Sequence, residues 1–329
     1  MLFQNAKHPV EMKVTHLNKV KAQRKQQLQL QMVNDKGLTS LISRAFTDLK
    51  KKENTKKTSK FGLFKNKAAN KNCFVLDFHG DIKATEVQQL REEISTLLTV
   101  AKPEDEVIVR LESSGGMVHA YGLAAAQLAR LKEAGLNLTV CIDKVAASGG
   151  YMMACVADKI LAAPFAVVGS IGVVAQVPNF HDLLEKHDID VEVFTAGKYK
   201  RTVTVFGENT EEDKQKFQQE LEETHKLFKD FVRKYRPSLD VEQVATGEHW
   251  YGEDAITRNL VDALQTSDSY ILEKMTDSEL YAIQSRQKPT IAQKLGISQA
   301  AQAVVATAMD KLPDALAKLE SAKMPMVKK

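Results

Sequence analysis

One serine and one lysine of this chain stand in sequence surroundings that suit covalent chemistry. Ser148 follows a run of small residues and directly precedes Gly149 and Gly150, at the start of an expected helix. Glycines at such a position let backbone amides approach a ligand closely. A serine hydroxyl needs a base to take its proton, and none of the eight histidines lies in a comparable glycine-rich setting. Lys200 does, because it directly follows a glycine-containing turn.

A lysine can act as that base only in its neutral form. Burial and a nearby cation both disfavour the charged form of an amine. Apolar residues at 203, 205 and 206 and the cation Arg201 lie close to Lys200 in sequence. We therefore predict a serine nucleophile, Ser148, paired with the general base Lys200, and we keep Lys198 as the alternative base.

Further residues could support this pair. Ser170 lies in a glycine-containing turn, where its hydroxyl could hydrogen-bond the lysine amine and orient it towards Ser148. An oxyanion needs two donors, and we assign them to the backbone amides of Gly149 and Gly116, with Gly115 as a substitute. The alternative interpretation is purely structural: a helix-capping serine, a turn serine and ordinary turn glycines.

The elements around these residues predict an α/β fold. Short apolar strands alternate with helices, which is typical of a parallel sheet flanked by helices. The predicted strands are 73–78, 107–111, 138–142 and 159–162, and the predicted helices are 85–100, 118–134, 148–156 and 210–236. Sites in such sheets form at the carboxyl ends of strands. The Gly115–Gly116 loop, Ser148 and Ser170 all follow strands, so we expect them to meet at one edge.

The chain divides into three parts of different composition. Residues 1–72 form a basic leader, partly helical and partly a linker; residues 73–265 form the folded domain; residues 266–329 are expected to be a helical extension. The first 71 residues hold 17 Lys and Arg against 4 Asp and Glu, and the remainder holds 29 against 38. A basic leader suits an anionic membrane surface or nucleic acid, although a solvated linker has the same composition.

Several classes of protein are excluded by simple features. Cys73, Cys141 and Cys155 lack a C-x-x-C spacing, so they predict buried free thiols rather than a disulfide framework or a zinc site. No apolar run reaches about 18 residues, which argues against a transmembrane helix. The first residues also lack the pattern of a signal peptide. We expect neither a metal nor another cofactor.

Five motifs, in a fixed order, resemble one known family. They are Phe-His-Gly-Asp at 78–81, Glu-Ser-Ser-Gly-Gly at 112–116, Ala-Ala-Ser-Gly-Gly-Tyr at 146–151, Gly-Ser-Ile-Gly-Val at 169–173 and Ala-Gly-Lys-Tyr-Lys at 196–200. Together they resemble the signal peptide peptidase A family, and most closely its SohB branch. The segments 209–212 and 245–252 add to this resemblance, which covers roughly residues 73–265.

The resemblance implies a ClpP/crotonase-like fold and a serine–lysine dyad of Ser148 and Lys200. It implies a cofactor-free endopeptidase that cleaves hydrophobic, membrane-derived or signal-peptide-like peptides and does not bind nucleic acid. It also implies a homo-oligomer in which the dyad can be shared between neighbouring protomers. Family members usually carry an N-terminal anchor in the bacterial inner membrane, so the basic leader would follow a missing anchor. We expect apolar cleft walls from Met152, Met153 and Val173.

Two other functions remain open at this stage. A crotonase-like enzyme acting on acyl-CoA would use acidic residues at the glycine loop, and Glu112 is the acid nearest to it. A non-catalytic scaffold would keep the fold without the activity. The presence of both Ser148 and Lys200 argues against the scaffold.

Overall fold

The structure is a computed structural model that describes residues 10–32 and 71–287. Among the described residues, 12–32 and 71–285 belong to one compact unit, and residues 10–11 and 286–287 belong to a second one.

Strands and helices alternate through most of the described chain. The strands are β1 (Val10–His16), β2 (Lys71–Gly80), β3 (Glu106–Ser113), β4 (Asn137–Ile142), β5 (Val145–Ala147), β6 (Lys159–Ala162), β7 (Val167–Gly169), β8 (His249–Tyr251), β9 (Ala263–Leu264) and β10 (Ser278–Gln287). The helices are α1 (Leu17–Met32), α2 (Val87–Leu97), α3 (Val118–Glu133), α4 (Gly149–Ala154), α5 (His181–Glu185), α6 (Glu211–Tyr235), α7 (Val241–Val244), α8 (Gly252–Thr257) and α9 (Ser267–Lys274).

The strands of the described residues join in one sheet. Its main path runs β1-β10-β2-β3-β4-β6-β9, and β5, β7 and β8 extend a branch from β3. Strand pairs from β10 to β9 along this path are parallel, as are β3 with β5 and β5 with β7. The β7–β8 pair is antiparallel. The branch is what places three strand ends side by side at the candidate site.

The two faces of the sheet pack against different elements because side chains alternate along a strand. Phe74, Leu76 and Phe78 of β2 face the larger core, to which α2, α3, α4 and α6 contribute buried residues. Cys73 and Val75 face a smaller core that is completed by α9. Each large apolar side chain buried in this way contributes about 1.5–3 kcal/mol of stabilisation. Helices on both faces leave the strand ends as the accessible part of the sheet.

The predicted α/β class, with a mostly parallel sheet flanked by helices, is confirmed. The four predicted strands and the four predicted helices of the domain are all present, with ends that differ by a few residues. Part of the leader is helical as expected, at Leu17–Met32. The search of the described helices finds none with the length and apolar character needed to cross a bilayer.

The expected helical character of residues 266–329 is wrong where the structure describes it beyond α9. Residues 278–287 form strand β10, which pairs with β2 in parallel. Without β10, the edge of β2 would offer a row of unpaired backbone amides and carbonyls. Pairing with this edge favours a strand more strongly than the weak local sequence pattern favours a helix. The helix expected at 290–322 lies outside the described residues. Residues 241–264, whose pattern predicts two short helices around residues 249–252, do form the short helices α7 and α8. Short strands at 249–251 and 263–264 lie in the same segment.

The three cysteines are buried free thiols, as predicted. Burial raises the pKa of each thiol, for Cys141 to about 12. At neutral pH these thiols are therefore protonated and act as small apolar side chains.

A nearly buried ion pair ties the end of α6 to the sheet. The Arg236 guanidinium donates to both carboxylate oxygens of Asp262, at 2.9 and 2.7 Å, and to the carbonyl oxygen of Asn259 at 3.1 Å. The Arg236 side chain is only 9% exposed. The Asp262 carboxylate also accepts from the amide of Ile160, the second residue of β6. These contacts hold the end of α6 on the domain, together with the buried Phe228 and Val232.

We predict that Asp262→Ala lowers the free energy of unfolding by about 3 kcal/mol, because it leaves the Arg236 charge buried without its partner. Chemical denaturation of the purified protein measures this loss. Lys214→Ala, which removes an exposed pair with Glu211, serves as the control and should change stability by less than about 0.5 kcal/mol. Equal effects of the two substitutions would contradict the prediction.

Candidate active site

Three loops meet where parallel strands β3, β5 and β7 end. Ser113, the last residue of β3, is in register with Ala146 of β5, and Ala147 is in register with Gly169 of β7. The residues that follow these strand ends are therefore neighbours in space. Their loops border a cavity of about 650 Å³. The expectation that the three segments meet at one edge of the sheet agrees with this arrangement.

The cavity combines small, polar and apolar lining residues. Those from the three loops are Ser114, Gly115, Gly116, Ser148, Ser170, Gly172, Val173 and Val174, and the others are Ile82, Val118, His225, Thr246 and Gly247. Three of the predicted site residues, Ser148, Ser170 and Gly116, thus line one cavity. Gly149 borders a smaller cavity that Ser148 and Gly116 also line.

Ser148 occupies a strained turn between β5 and α4. Its φ is 51° and its ψ is −119°, a conformation that residues with a Cβ rarely adopt. Its amide donates to the carbonyl oxygen of Gly169 at 2.8 Å, and its carbonyl oxygen accepts from the amide of Met152 at 3.0 Å. The half-buried side chain is turned out of the helix towards the cavity. It makes no capping hydrogen bond to α4, which weighs against a purely structural role.

A chain of hydroxyl groups holds the glycine loop after β3. The Gly115 amide donates to Ser113 Oγ at 3.0 Å, Ser113 Oγ lies 2.5 Å from Tyr121 Oη, and Tyr121 Oη donates to the carbonyl oxygen of Asp81 at 2.7 Å. Because Tyr121 donates to Asp81, its oxygen is free to accept from Ser113. The loop is therefore fixed to two neighbouring elements, α3 and the end of β2.

This hydrogen-bond network distinguishes Gly115 from Gly116 as candidate oxyanion donors. The amide of Gly115 is already bonded to Ser113 Oγ, so it is not available to an oxyanion. No hydrogen bond within the described chain takes up the amide of Gly116. The amide of Gly149, at the first position of α4, has no acceptor inside its helix. The amides of Gly116 and Gly149 are thus without a partner among the described residues, and their role as oxyanion donors stays a prediction.

Close packing fixes the distance between these loops. A Cβ placed on Gly115 would lie 2.7 Å from the Cβ of Ser148 and 2.8 Å from the amide nitrogen of Gly149. The φ of Gly115 is 90°, which also favours glycine. A side chain at this position would push the loop away from Ser148.

Lys200 is exposed and is not among the described residues that line either cavity around Ser148. Its amide bonds the carbonyl oxygen of Gly197 within the same turn. Lys198, the alternative base, forms an ion pair with Glu212 at 3.0 Å. The hydrogen bond that Lys198 donates to the Glu212 carboxylate raises the pKa of Lys198 and favours its charged form, which makes Lys198 a poor base. A single chain thus brings Ser148 and Ser170 together without Lys200.

The segment that carries Lys200, residues 172–209, leaves large apolar side chains in solvent. Val174 is 90% exposed and Phe194 is 87% exposed. The others are Val177, Phe180, Leu183, Ile189, Val193, Tyr199 and Phe206. Such a concentration of exposed apolar groups is typical of a surface that contacts another molecule.

The smaller cavity beside Ser148 has about 10 Å³ of free space and apolar walls. Met152 and Val173 line it together with Val118 and Phe228. The expectation that Met153 also forms a wall is wrong, because Met153 is fully buried in the larger core. Successive residues of a helix point about 100° apart, so Met152 and Met153 cannot both face the cleft.

Sequence reasoning missed His225, which lines the larger cavity together with Ser148. The nitrogen Nε2 of His225 is buried and has no hydrogen-bond partner among the described residues. A usable signal existed: His225 precedes the buried Phe228 by three residues in α6, so both lie on the same face of the helix. The search for histidines in glycine-rich segments overlooked a residue on a distant helix.

The family description "Peptidase family S49 N-terminal" matches residues 2–128, and "Peptidase family S49" matches residues 130–281. A solved membrane-bound, stomatin-specific protease with a substrate peptide aligns with 70% of this chain and 97% of its own, at 13% identity and a TM-score of 0.41.

Several relatives carry the name "Probable protease SohB". The protein of Haemophilus influenzae is 66% identical over 223 residues, which span 68% of this chain and 63% of that one, slightly less than two thirds. The protein of Buchnera aphidicola subsp. Schlechtendalia chinensis is 56% identical over 66% of this chain and 70% of its own. These matches confirm the family resemblance drawn from the five motifs.

We predict that Gly115→Ala lowers the rate of any reaction at Ser148 at least about tenfold, because the added Cβ displaces the loop that carries Gly116. Gly122→Ala is the control: Gly122 lies in α3, and nothing lies within 4 Å of an added Cβ there. This control should keep its activity and gain up to about 1 kcal/mol of stability. Labelling of Ser148 by a fluorophosphonate probe measures both variants, and equal labelling rates would contradict the prediction.

Proposed function

The chain belongs to peptidase family S49, and from this premise we propose that it is a serine endopeptidase with Ser148 as nucleophile and Lys200 as general base. The observation that carries the proposal is the junction of the β3, β5 and β7 ends. There a strained serine and two available amides border one cavity. No metal or other cofactor is needed for this chemistry.

The reaction would proceed through an acyl-enzyme. The Oγ atom of Ser148 attacks the peptide carbonyl while the neutral Lys200 amine takes the hydroxyl proton. The amides of Gly116 and Gly149 donate to the oxygen that becomes negatively charged. The lysine then returns the proton to the leaving amine, and water hydrolyses the ester. Ser170 would hydrogen-bond the lysine amine and hold it near Ser148.

We further propose that Lys200 reaches Ser148 of a neighbouring protomer in a homo-oligomer. Lys200 is exposed in the single chain and lies on a segment with many solvent-exposed apolar side chains. Docking of that segment on a second copy would bury those side chains. It would also place the amine in a drier environment, where its charged form is disfavoured.

Hydrophobic, membrane-derived or signal-peptide-like peptides would be the substrates. The cavity walls include the aliphatic side chains of Ile82, Val118, Val173 and Val174. The small cavity next to Ser148 adds the apolar side chains of Met152 and Phe228 to this surface. The strongly basic leader supports association with the anionic surface of a bacterial inner membrane.

The two alternative functions find less support. An acyl-CoA enzyme would need an acid in the cavity, but Glu112 pairs with Lys144 at 3.0 Å and is not among the described lining residues. A non-catalytic scaffold would leave the strained backbone of Ser148 without a purpose, and strain of this kind is usually kept for function.

The experiment is cleavage of a quenched fluorescent peptide of Leu and Ala residues by the wild type and by two single variants. We expect Ser148→Ala and Lys200→Ala each to lose at least about 10³-fold in rate, whereas Lys198→Ala stays active. Mixing the two inactive variants should restore activity, because in a head-to-tail ring about one interface in four then pairs an intact serine with an intact lysine.

Size-exclusion chromatography of every variant is the control for assembly. A properly assembled wild type that cleaves nothing would favour the scaffold. Full activity of Lys200→Ala would exclude Lys200 as the base. Inactive mixtures of exchanging subunits would place both dyad residues within one protomer.

A further inference from the structure

Tyr121, in the first turn of α3, lies against both segments that carry the proposed oxyanion donors. The residue is fully buried, and it is not among the described residues that line either cavity around Ser148. None of the five motifs includes it, and the proposed dyad chemistry does not use it. Any part that Tyr121 plays in the reaction must therefore act through the residues it touches.

The ring of Tyr121 supports the turn that carries Ser148. A Cβ placed on Gly149 would lie 2.4 Å from Cγ of the ring and 2.8 Å from the Cβ of Tyr121. The ring thus packs directly against the backbone of Gly149, whose amide is one of the two proposed donors. This contact limits how far that amide can move towards the core.

The hydroxyl group of Tyr121 holds the glycine loop on the other side. Tyr121 Oη lies 2.5 Å from Ser113 Oγ, which in turn accepts from the amide of Gly115 at 3.0 Å. Tyr121 Oη also donates to the carbonyl oxygen of Asp81 at 2.7 Å. Burial raises the pKa of the Tyr121 hydroxyl, so the group stays protonated at neutral pH and keeps donating.

The second proposed donor, Gly116, lies between two backbone attachments that both lead back to Tyr121. On one side, the amide of Gly115 bonds Ser113 Oγ. On the other side, the amide of Met117 bonds the carbonyl oxygen of Ile82 at 2.9 Å, and Ile82 directly follows Asp81. A single hydroxyl group thus fixes the chain before and after Gly116, and with it the direction of the Gly116 amide.

We propose that Tyr121 is a positioning residue that sets the distance and direction between the amides of Gly116 and Gly149. Its ring holds the second amide, and its hydroxyl group holds the loop of the first. The inference rests on the proposed function, because the arrangement of these amides matters for catalysis only if an oxyanion forms beside them. Preorganised donors stabilise the charge of the transition state more than they stabilise the bound substrate.

A purely structural role of the Tyr121 hydroxyl group predicts a different result. Loss of a buried hydrogen bond lowers stability wherever it lies in the fold. Loss of an aligned oxyanion donor lowers the turnover rate and leaves substrate binding nearly unchanged. The separation of kcat from KM therefore distinguishes the two roles.

The test begins with Tyr121→Phe, which keeps the ring and removes the hydroxyl group. For the quenched Leu–Ala peptide we expect kcat to fall about 10- to 100-fold while KM changes less than about twofold. Ser113→Ala breaks the same hydrogen-bond chain at its other link and should lower kcat by a similar factor. Because both variants break one chain, the double variant should lie within about twofold of the weaker single variant.

Tyr270→Phe is the matched control for the loss of a buried tyrosine hydroxyl group. Tyr270 is 4% exposed, and its hydroxyl group donates to Glu106 at 2.6 Å. Glu106 is the first residue of β3, at the opposite end of the strand from Ser113. This control should lower stability but leave kcat unchanged. Equal losses of kcat in Tyr270→Phe and Tyr121→Phe would reduce the role of Tyr121 to general stability and overturn the proposal.

Hydrogen exchange of backbone amides reads the glycine loop independently of cleavage. In the assembled protein, mass spectrometry should show residues 114–118 exchanging at least about tenfold faster in Tyr121→Phe than in the wild type, and unchanged in Tyr270→Phe. A wild type that cleaves nothing would contradict the endopeptidase. The exchange rates would still decide whether Tyr121 holds the loop, so the two failures are distinguishable.

An unchanged kcat or an unchanged exchange rate of residues 114–118 in Tyr121→Phe would overturn the positioning role. A KM that rises while kcat stays constant would also overturn it, because the hydroxyl group would then serve substrate binding. If Tyr121→Phe does not assemble, Ser113→Ala provides the same readouts with the tyrosine in place.

Discussion

The turn from β5 into α4 is packed so tightly that the position of Ser148 follows from its neighbours. A Cβ on Gly149 would lie 2.4 Å from the ring of Tyr121, and one on Gly150 would lie 2.5 Å from the carbonyl oxygen of Ser113. These contacts let α4 sit directly against β3 and α3. The positive φ of Ser148 costs about 1–3 kcal/mol, which the surrounding core must supply. Small residues at this junction are thus a steric requirement of the site.

This tight packing around Ser148 explains why one half of the candidate site is rigid. The other half, residues 172–209, is exposed. Ser148 and the glycine loop belong to the large core, where helices α2, α3, α4 and α6 cover one face of the sheet. Helix α6 adds His225 to the cavity through the same packing. Residues 172–209, by contrast, contribute almost no buried side chain. Ser148, the proposed nucleophile, thus lies in the rigid half, and a segment whose exposed apolar side chains suit contact with another molecule forms the exposed half.

The ion pairs near the strand ends lie outside the described lining of the Ser148 cavity. Ionisable groups near the strand ends are used in ion pairs, such as Asp77 with Arg110 at 2.6 Å and Glu112 with Lys144 at 3.0 Å. The cavity of Ser148 has no carboxylate among its described lining residues. A neutral, partly apolar cleft suits a mechanism in which a lysine has to lose its proton. It also suits peptides with few charges.

The sequence by itself determined the local features: the apolar strands, the amphipathic helices, the parallel α/β class and the glycine-flanked Ser148. These follow from periodicity and residue type within short windows, and the ends of β2, α3 and β6 were predicted to within two residues. The strand at 278–287, the burial of Met153 and the place of His225 were decided only by the tertiary structure. Each depends on partners distant in the chain: the free edge of β2, the core beneath α4 and the cavity opposite α6. Lys200 shows what the sequence pattern does not reveal. Its motif is local, whereas the surface that we propose it contacts belongs to a second copy of the chain.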